Sequence, residues 1–463
     1  MITPASPEAV RLLHEGALAL SAVEAAGMRV DVGYLDRTTT EVQQRITKLE
    51  GRLRQCDEYK AQQRRFGAAT NLTSREQLAA VLFDDFGHTC TSRTATGRPQ
   101  LNEAALDRIG TKYARGFVRL EKLNKLHSTY LRGVRREVGG DGYLHPVFNL
   151  HTVQTFRSSS DSPNFQNIPA RDPMVSEIIR RAFVARDGHQ LVEIDISGAE
   201  VRVAACYHHD PQMLTYITDP STDMHRDMSR ECYLLPEGEA VPKAVRAAVK
   251  GGFVFAEFYG DYHKQVCQNL WNAVQSQGLQ TAGGVCLLEH LRQKGIAKLG
   301  ACKHGERPQL GTYEHHIQRV EEAFWKRRFP VYDQWRRDWW EAYLQTGGFT
   351  MHTGFRVEGV MRRNEVINYP VQGAAFHCLL WCLVQLERWL RRRRMRSVIV
   401  GQIHDSIVAD VHSSELDDFL GYAMQLLQVQ LPAAWPWVCV PIEAEAEVSP
   451  PGGTWYDKKE VKL

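Results

Sequence analysis

Two aspartates far apart in the chain stand at the ends of short apolar runs, and their pairing is the most chemically suggestive feature of the sequence. Asp195 closes the run Leu191-Val192-Glu193-Ile194 and leads into Ile196-Ser197-Gly198-Ala199-Glu200-Val201-Arg202. Asp405 follows Ile399-Val400-Gly401-Gln402-Ile403-His404 and precedes Ser406-Ile407-Val408. β-Branched runs of this kind read as strands, with each carboxylate where a buried sheet meets solvent. Converging carboxylates are what a two-metal phosphoryl-transfer site requires. They hold divalent ions about 4 Å apart, one activating the attacking oxygen and the other steadying the leaving one. Taken singly, either aspartate reads equally well as a turn cap.

The elements around them come in blocks. Residues 7–139 are mostly helical in pattern and rich in arginine, most of it read as solvated helix face. Near Gly140 the texture changes, with strand-like stretches at 145–149 and 191–196 around a Ser/Pro/Asn-rich loop at 158–169. Residues 210–345 return to helix, interrupted at 275–284 and 303–311. Strand-like 349–360, helical 372–394 and a strand-turn-strand over 398–411 complete the pattern. Arg391 to Arg394 suit the negative end of a helix dipole. The aromatic-basic run from Phe324 to Trp340 reads as core with snorkelling arginines.

Bulk composition sets limits. A chain of 463 residues exceeds one small core and suggests two to four subdomains. With a net charge of +3, any basic groove must be local. Ten cysteines without a Cys-x-x-Cys pair argue against a zinc ribbon or redox dithiol, and Cys378 and Cys382 read as buried thiols. His208 and His209, like His315 and His316, read as solvated or structural. The absence of a signal sequence or a membrane-length apolar run points to the cytosol.

In their order, these segments resemble the polymerase portion of family A DNA polymerases, the bacterial polymerase I type, over nearly the whole chain. Val23-Glu24 to Val30-Asp31 is similar to the opening of that family's thumb. Asn71 to Ser74, Thr96-Gly97 and Lys125 to Tyr130 match later landmarks. Thr155 to Ser159 and Asn164 to Pro169 resemble the loop that grips primer and template. Arg157, Gln166 and Asn167 there carry donors suited to minor-groove acceptors, which look alike in every correct base pair. Asp195 to Arg202 matches the first carboxylate motif, Asp-Tyr-Ser-Gln-Ile-Glu-Leu-Arg, with Ile196, Gly198 and Ala199 departing from it. The resemblance makes Asp195 a metal ligand beside the Ile196 carbonyl, Glu200 the residue that crowds the sugar 2′ position, and Arg202 a DNA contact. Asp223-Met224-His225 stands where the family has Asp-Ile-His, implying a triphosphate contact for His225.

Arg246 and Lys250 lie one turn apart on what resembles the nucleotide-carrying helix, a spacing suited to clamping a triphosphate. By the same resemblance Phe255 stacks on the incoming sugar or base, and Tyr259 guards the template position. The count from Lys250 to Phe255 exceeds the family's by one, so a helix bulge is expected near Gly251-Gly252. Gln372, in Asn368 to Ala375, is a minor-groove donor by resemblance. Gln402 to Asp405 matches the second carboxylate motif, with His404 toward DNA and Ser406 where the family commonly has Glu. Glu443 to Trp455 resembles the closing strand.

The resemblance implies an α+β right-hand polymerase. Its thumb is expected over 1–140, its antiparallel-sheet palm over 141–209 and 346–463, and its helical fingers over 210–345 with an inserted segment at 261–312. It implies two Mg²⁺ ions on Asp195, Ile196 and Asp405, with Mn²⁺ able to substitute. The implied partners are primer-template DNA and deoxynucleoside triphosphates, with a separate exonuclease or accessory protein as a further candidate. A cytoplasmic monomer is expected. The thumb-like region begins within the first dozen residues, so no proofreading or 5′ nuclease is expected, a compact form that resembles phage enzymes. Against a single-subunit RNA polymerase stand Glu200 and the thumb landmarks. Against a catalytically silent DNA-binding protein stand both aspartates and both cations.

Overall fold

The computed structural model describes residues 2–90, 99, 101–170, 172–300 and 306–461. Thr96-Gly97 and the start of the polar stretch at 303 lie outside them.

A five-stranded antiparallel sheet forms the floor, in the order Lys459–Val461, Ala444–Val448, His189–Ile196, Ser406–His412 and Val398–Ile403. Strand alternation sorts its side chains. Val192, Ile194 and Ile196 are buried on one face, while Glu193 and Asp195 share the other. Across the ladder Glu445 opposes Asp195 and Glu447 opposes Glu193, so four carboxylates lie on one face. On its other side, strand His189–Ile196 pairs Asp195 with Ser406, the residue after Asp405.

Helix Pro7–Ala26 packs against strand Val398–Ile403 and against the long helix Arg363–Arg393. The two helices approach closely at Gly16, where a Cβ would sit 2.8 Å from Leu380. The expected helix at 372 begins earlier, at Arg363, and runs through Pro370. Proline removes the N–H that would bond the carbonyl of Val366. The indole of Trp339 donates to that carbonyl at 3.0 Å, which lets the helix continue.

Around this floor stand helices. In the N-terminal region Val32–Leu53 packs on Lys112–Lys125. Strand Ile2–Pro4 joins the hairpin Gly348–Thr350 and Phe355–Glu358, the two short strands into which the strand-like stretch at 349–360 resolves. Residues 210–345 supply Pro211–Thr218, Met224–Tyr233, Lys243–Val249, His263–Gln277, Tyr313–Ala323 and Pro330–Thr346. The first expected interruption follows Gln277, where Gly278 turns left-handed (φ 61°). The aromatic run is core as expected: Phe324, Trp325, Phe329 and Tyr332 are buried, and the Arg336 guanidinium lies 3.8 Å over the Trp325 ring. Helix His263–Gln277 also lies against helix Glu103–Ile109, so the two helical regions meet.

Candidate active site

Asp405 sits in a two-residue turn between the paired Ile403 and Ser406, and His404 beside it adopts the left-handed region (φ 52°). This tight hairpin holds Asp405 next to the end of the neighbouring strand, where the Ile196 N–H donates to the Asp405 carbonyl at 3.2 Å. The two aspartates thus meet where the ends of two adjoining inner strands come together. Burial, and then the charge of Asp405 and of Glu193, Glu445 and Glu447, pushes the Asp195 carboxyl up to about 7. Two carboxylates and the Ile196 carbonyl are hard oxygen donors that fit a divalent cation, and their crowded charge favours one. Among the described residues no group of three His, Cys, Asp or Glu could hold a metal. Waters and substrate oxygens would therefore have to complete the coordination, the usual habit of Mg²⁺.

The sequence reading did not single out Glu193, whose only signal is a carboxylate two residues before Asp195 on the same face. It accepts from Ser406 Oγ at 3.1 Å, from Trp455 Nε1 at 3.0 Å, and from the buried Lys458 ammonium. Burial pushes its carboxyl up, but the Lys458 charge and these donors outweigh burial and hold it below the usual range. Lys458 also reaches Glu447 at 2.9 Å and so neutralises the side of the acidic face away from Asp195. Ser406, where a family glutamate was expected, is committed to Glu193 and to the Ile403 carbonyl.

At Asp405 opens a cleft of about 320 Å³ whose walls also include Arg157, Glu200, Phe255, Tyr259, Gln372 and His404. Gly198, left-handed at φ 62°, turns the chain from the strand of Asp195 into helix Ala199–His208, whose first turn carries Glu200. The Tyr259 hydroxyl donates to Glu200 at 2.6 Å, and Arg157 pairs with the other carboxylate oxygen at 3.2 Å. Burial and the Glu200 charge hold the Tyr259 phenol well above its usual range, so it stays a donor. Asn368 and Asn364 donate to the Tyr259 and Gly260 carbonyls, each at 3.2 Å. Gly260 has φ 92°, and a Cβ there would lie 2.4 Å from Asn364, so this joint requires glycine.

The extra residue after Lys250 appears as a wide i→i+5 turn over Lys250–Phe255, between Lys243–Val249 and Ala256–Phe258. It turns Phe255 into the cleft, with the His225 ring 5.9 Å away edge-on and the Lys250 ammonium 5.4 Å from the Phe255 centroid. Burial, then Arg246 and Lys250, pushes the His225 imidazole down to about 4, so it is neutral. Arg246 is held at 2.7 Å by Asp223, which also caps helix Met224–Tyr233.

Two expected DNA contacts sit differently. Arg202 is buried, and its guanidinium is spent on the Ser197 carbonyl (2.8 Å), the Pro441 carbonyl (2.6 Å) and Glu443. This corrects the expectation: Arg202 fastens the helix of Glu200 to the segment entering strand Ala444–Val448. The Gln166 amide donates to Ser158 Oγ (2.7 Å) and to Gln402 (2.8 Å), whose own amide holds the His404 carbonyl at 2.7 Å. In this arrangement Gln166 braces the hairpin of Asp405, whereas Asn167 on the same turn is exposed.

Between Phe255 and Tyr259, Glu257 points inward. It is buried, accepts from Trp325 Nε1 at 2.8 Å, and is pushed up to about 8 by burial and then by Glu321. A folded-state value above the free 4.5 means folding takes up a proton between those values, so stability falls as pH rises through that window. Glu257→Gln keeps the acceptor for Trp325 without the charge. Its gain in thermal midpoint over the parent is expected to be small below pH 4.5, to widen as pH rises from there to about 8, and to level off above. Calorimetry on both proteins across that range checks this, and parallel pH profiles would contradict it.

The sheet floor, the helical walls and the cleft between them define a right-hand polymerase fold. The POL domain of Pol1 from M. smegmatis, solved in complex with DNA primer-template and dNTP, superposes with a TM-score of 0.73 at 23% identity, over 96% of this chain and 70% of that one. The chain belongs to DNA polymerase family A, whose model matches residues 33–280, more than half of its length. It is 28% identical over 447 residues to the thermostable DNA polymerase I of Thermus aquaticus, covering 95% of this chain and 47% of that protein. It is 25% identical over 373 residues to a DNA polymerase of Bacillus phage SP01, covering 76% of this chain and 36% of that protein. The chain spans about half the length of the curated relatives it matches. No helix of the described residues is long and apolar enough to cross a membrane.

Proposed function

We propose that this chain is a template-directed DNA polymerase that adds deoxynucleotides to a primer 3′-hydroxyl. The observation that carries this reading is that the strand register sets Asp195 beside the turn of Asp405, which lines the cleft that also receives Phe255, Tyr259 and Glu200. On this reading residues 1–140 are the thumb, 141–209 and 346–463 the palm, and 210–345 the fingers, and the protein works in the cytosol as a monomer. The primer oxygen attacks the α-phosphorus and pyrophosphate leaves. Bound through Asp195, Asp405 and the Ile196 carbonyl, two Mg²⁺ ions would offset charge on the attacking and leaving oxygens. Arg246 and Lys250 supply cations for the triphosphate, with neutral His225 as a hydrogen-bonding neighbour. Catalysis is then positioning plus electrostatics, without a covalent enzyme intermediate. Extension of a labelled primer with each deoxynucleotide, first with Mg²⁺ and then with Mn²⁺, tests the reading, and ribonucleotides in parallel separate it from an RNA polymerase.

Glu200 is held by Tyr259 and Arg157 as a rigid wall of the cleft. Glu200→Ala is expected to raise the relative use of ribonucleotides by about 10- to 100-fold, since a wall excludes by clash what it does not bind. The ratio of kcat/KM for the two sugars measures it. An unchanged ratio would remove Glu200 from sugar selection.

A further inference from the structure

Phe255, Phe258 and Tyr259 all line the cleft, yet the backbone that carries them has little support of its own. The wide turn over Lys250–Phe255 is followed by only three helical residues, Ala256–Phe258, before the left-handed Gly260. So short a helix is marginal alone, and its placement depends on side-chain anchors. Asn368 and Asn364 anchor its far end at the Tyr259 and Gly260 carbonyls. A second anchor is Glu257, which is 1% exposed and takes the Trp325 Nε1–H at 2.8 Å. Trp325 meets Phe258 and Tyr332 edge-on, with centroids 6.2 Å and 5.4 Å away, and both of those rings line the cleft. The Arg336 guanidinium covers the Trp325 ring at 3.8 Å. Glu257 Oε1 and Arg336 Nε are both buried without a hydrogen-bond partner among the described residues. An unpaired buried polar atom is costly, and apolar side chains would fill the same space without that cost. Packing alone therefore does not account for these two residues.

From this geometry we infer that Glu257 is a positioning residue: with Arg336 it clamps the Trp325 indole and so fixes the segment that presents Phe255 and Tyr259 to the incoming nucleotide. The nucleotide in this inference rests on the proposed polymerase reaction, whereas the clamp does not. Glu257 acts through Trp325 from behind the cleft wall and takes no part in the chemistry. The indole N–H only donates, so whatever faces it must accept. A carboxyl and an amide each offer an oxygen for that bond, and an alkyl side chain offers none. Burial, and then Glu321, pushes the Glu257 carboxyl up to about 8, so near neutral pH a glutamine stands in for the uncharged acid.

Three substitutions in the whole protein separate the clamp from plain packing. Glu257→Gln keeps the acceptor, Glu257→Leu keeps bulk without it, and Trp325→Phe keeps a ring for Arg336 but lacks the N–H. Near neutral pH and without nucleotide, amide hydrogen exchange over residues 250–262 is expected to quicken in the Leu and Phe variants. It should stay parent-like in the Gln variant, and in the five-stranded sheet of all three. Single-turnover primer extension is expected to show the nucleotide's apparent Kd raised about 5- to 20-fold in the Leu and Phe variants, with a smaller change in rate and unchanged primer-template affinity. The double variant Glu257→Leu/Trp325→Phe should be no worse than the more impaired single one, because both changes remove the same hydrogen bond. If Glu257→Leu fails to fold, Trp325→Phe carries the same expectation against Glu257→Gln. A parent that extends no primer would end the proposed reaction, while the exchange result would still decide the clamp. Parent-like exchange in both the Leu and Phe variants, additive losses in the double variant, or a Gln variant as impaired as the Leu one would overturn the inference.

Discussion

Replacing Asp405 by Asn is expected to lower primer extension by at least about 10³-fold while primer-template affinity changes little. Asp195→Asn should do the same. Each variant keeps the side-chain shape and removes one charge from a pair the sheet register has set side by side. Neither side chain is needed for the ladder, because Ser406 and Asp195 pair through their backbones. The two variants should differ in a second measurement. Asp195 is half-buried against three further carboxylates besides Asp405, so in metal-free buffer near pH 8 the neutral Asn relieves repulsion and should raise the thermal midpoint. A large loss of extension with unchanged or improved folding isolates chemistry from stability. Near-normal extension by either variant would sink the two-metal assignment.

These two residues were legible in the sequence because their neighbours constrain them tightly. A β-branched run interrupted by one carboxylate has few places to go, and two such runs can share a sheet. The bulge after Lys250 was legible as a count, and it appears as the wide turn over Lys250–Phe255. Other parts depended on partners no local pattern reveals. Arg202 was expected to contact DNA because its acceptors, the Pro441 carbonyl and Glu443, arrive from the end of the chain and leave no local signal. The helix start at Arg363 was hidden by Pro370, which reads as a breaker until the Trp339 indole supplies the missing donor. Glu193 and Lys458 are each ordinary surface residues in isolation. Only the register of three strands makes them a buried pair beside Asp195.

Asp210 carries the second large expected effect, because one carboxylate starts two helices. It is fully buried. Oδ1 accepts from the backbone of Gln212 (3.0 Å) and Met213 (3.2 Å), capping helix Pro211–Thr218. Oδ2 accepts from Val331 (3.0 Å) and Tyr332 (3.1 Å), capping helix Pro330–Thr346. The Asp210 N–H donates to His208 Nδ1 at 2.9 Å, and the His208 ring stacks on Tyr332 with centroids 3.9 Å apart. Met213 and Tyr332 both line the cleft, so this carboxylate sets part of the wall facing Glu200 and Phe255. Asp210→Ala strands four backbone donors at two helix ends and should cost about 2–4 kcal/mol of stability. Asp210→Asn should fall between, because its amide nitrogen cannot accept and must face one of the two donor pairs. Urea unfolding of the three proteins orders them. On the proposed reaction, the folded fraction of the Ala variant should also show a raised KM for the nucleotide with a smaller change in kcat, since the displaced wall binds and does not react. A stability loss within about 0.5 kcal/mol of the parent, the range of an ordinary surface substitution, would show that the two helices are fixed by their apolar packing alone.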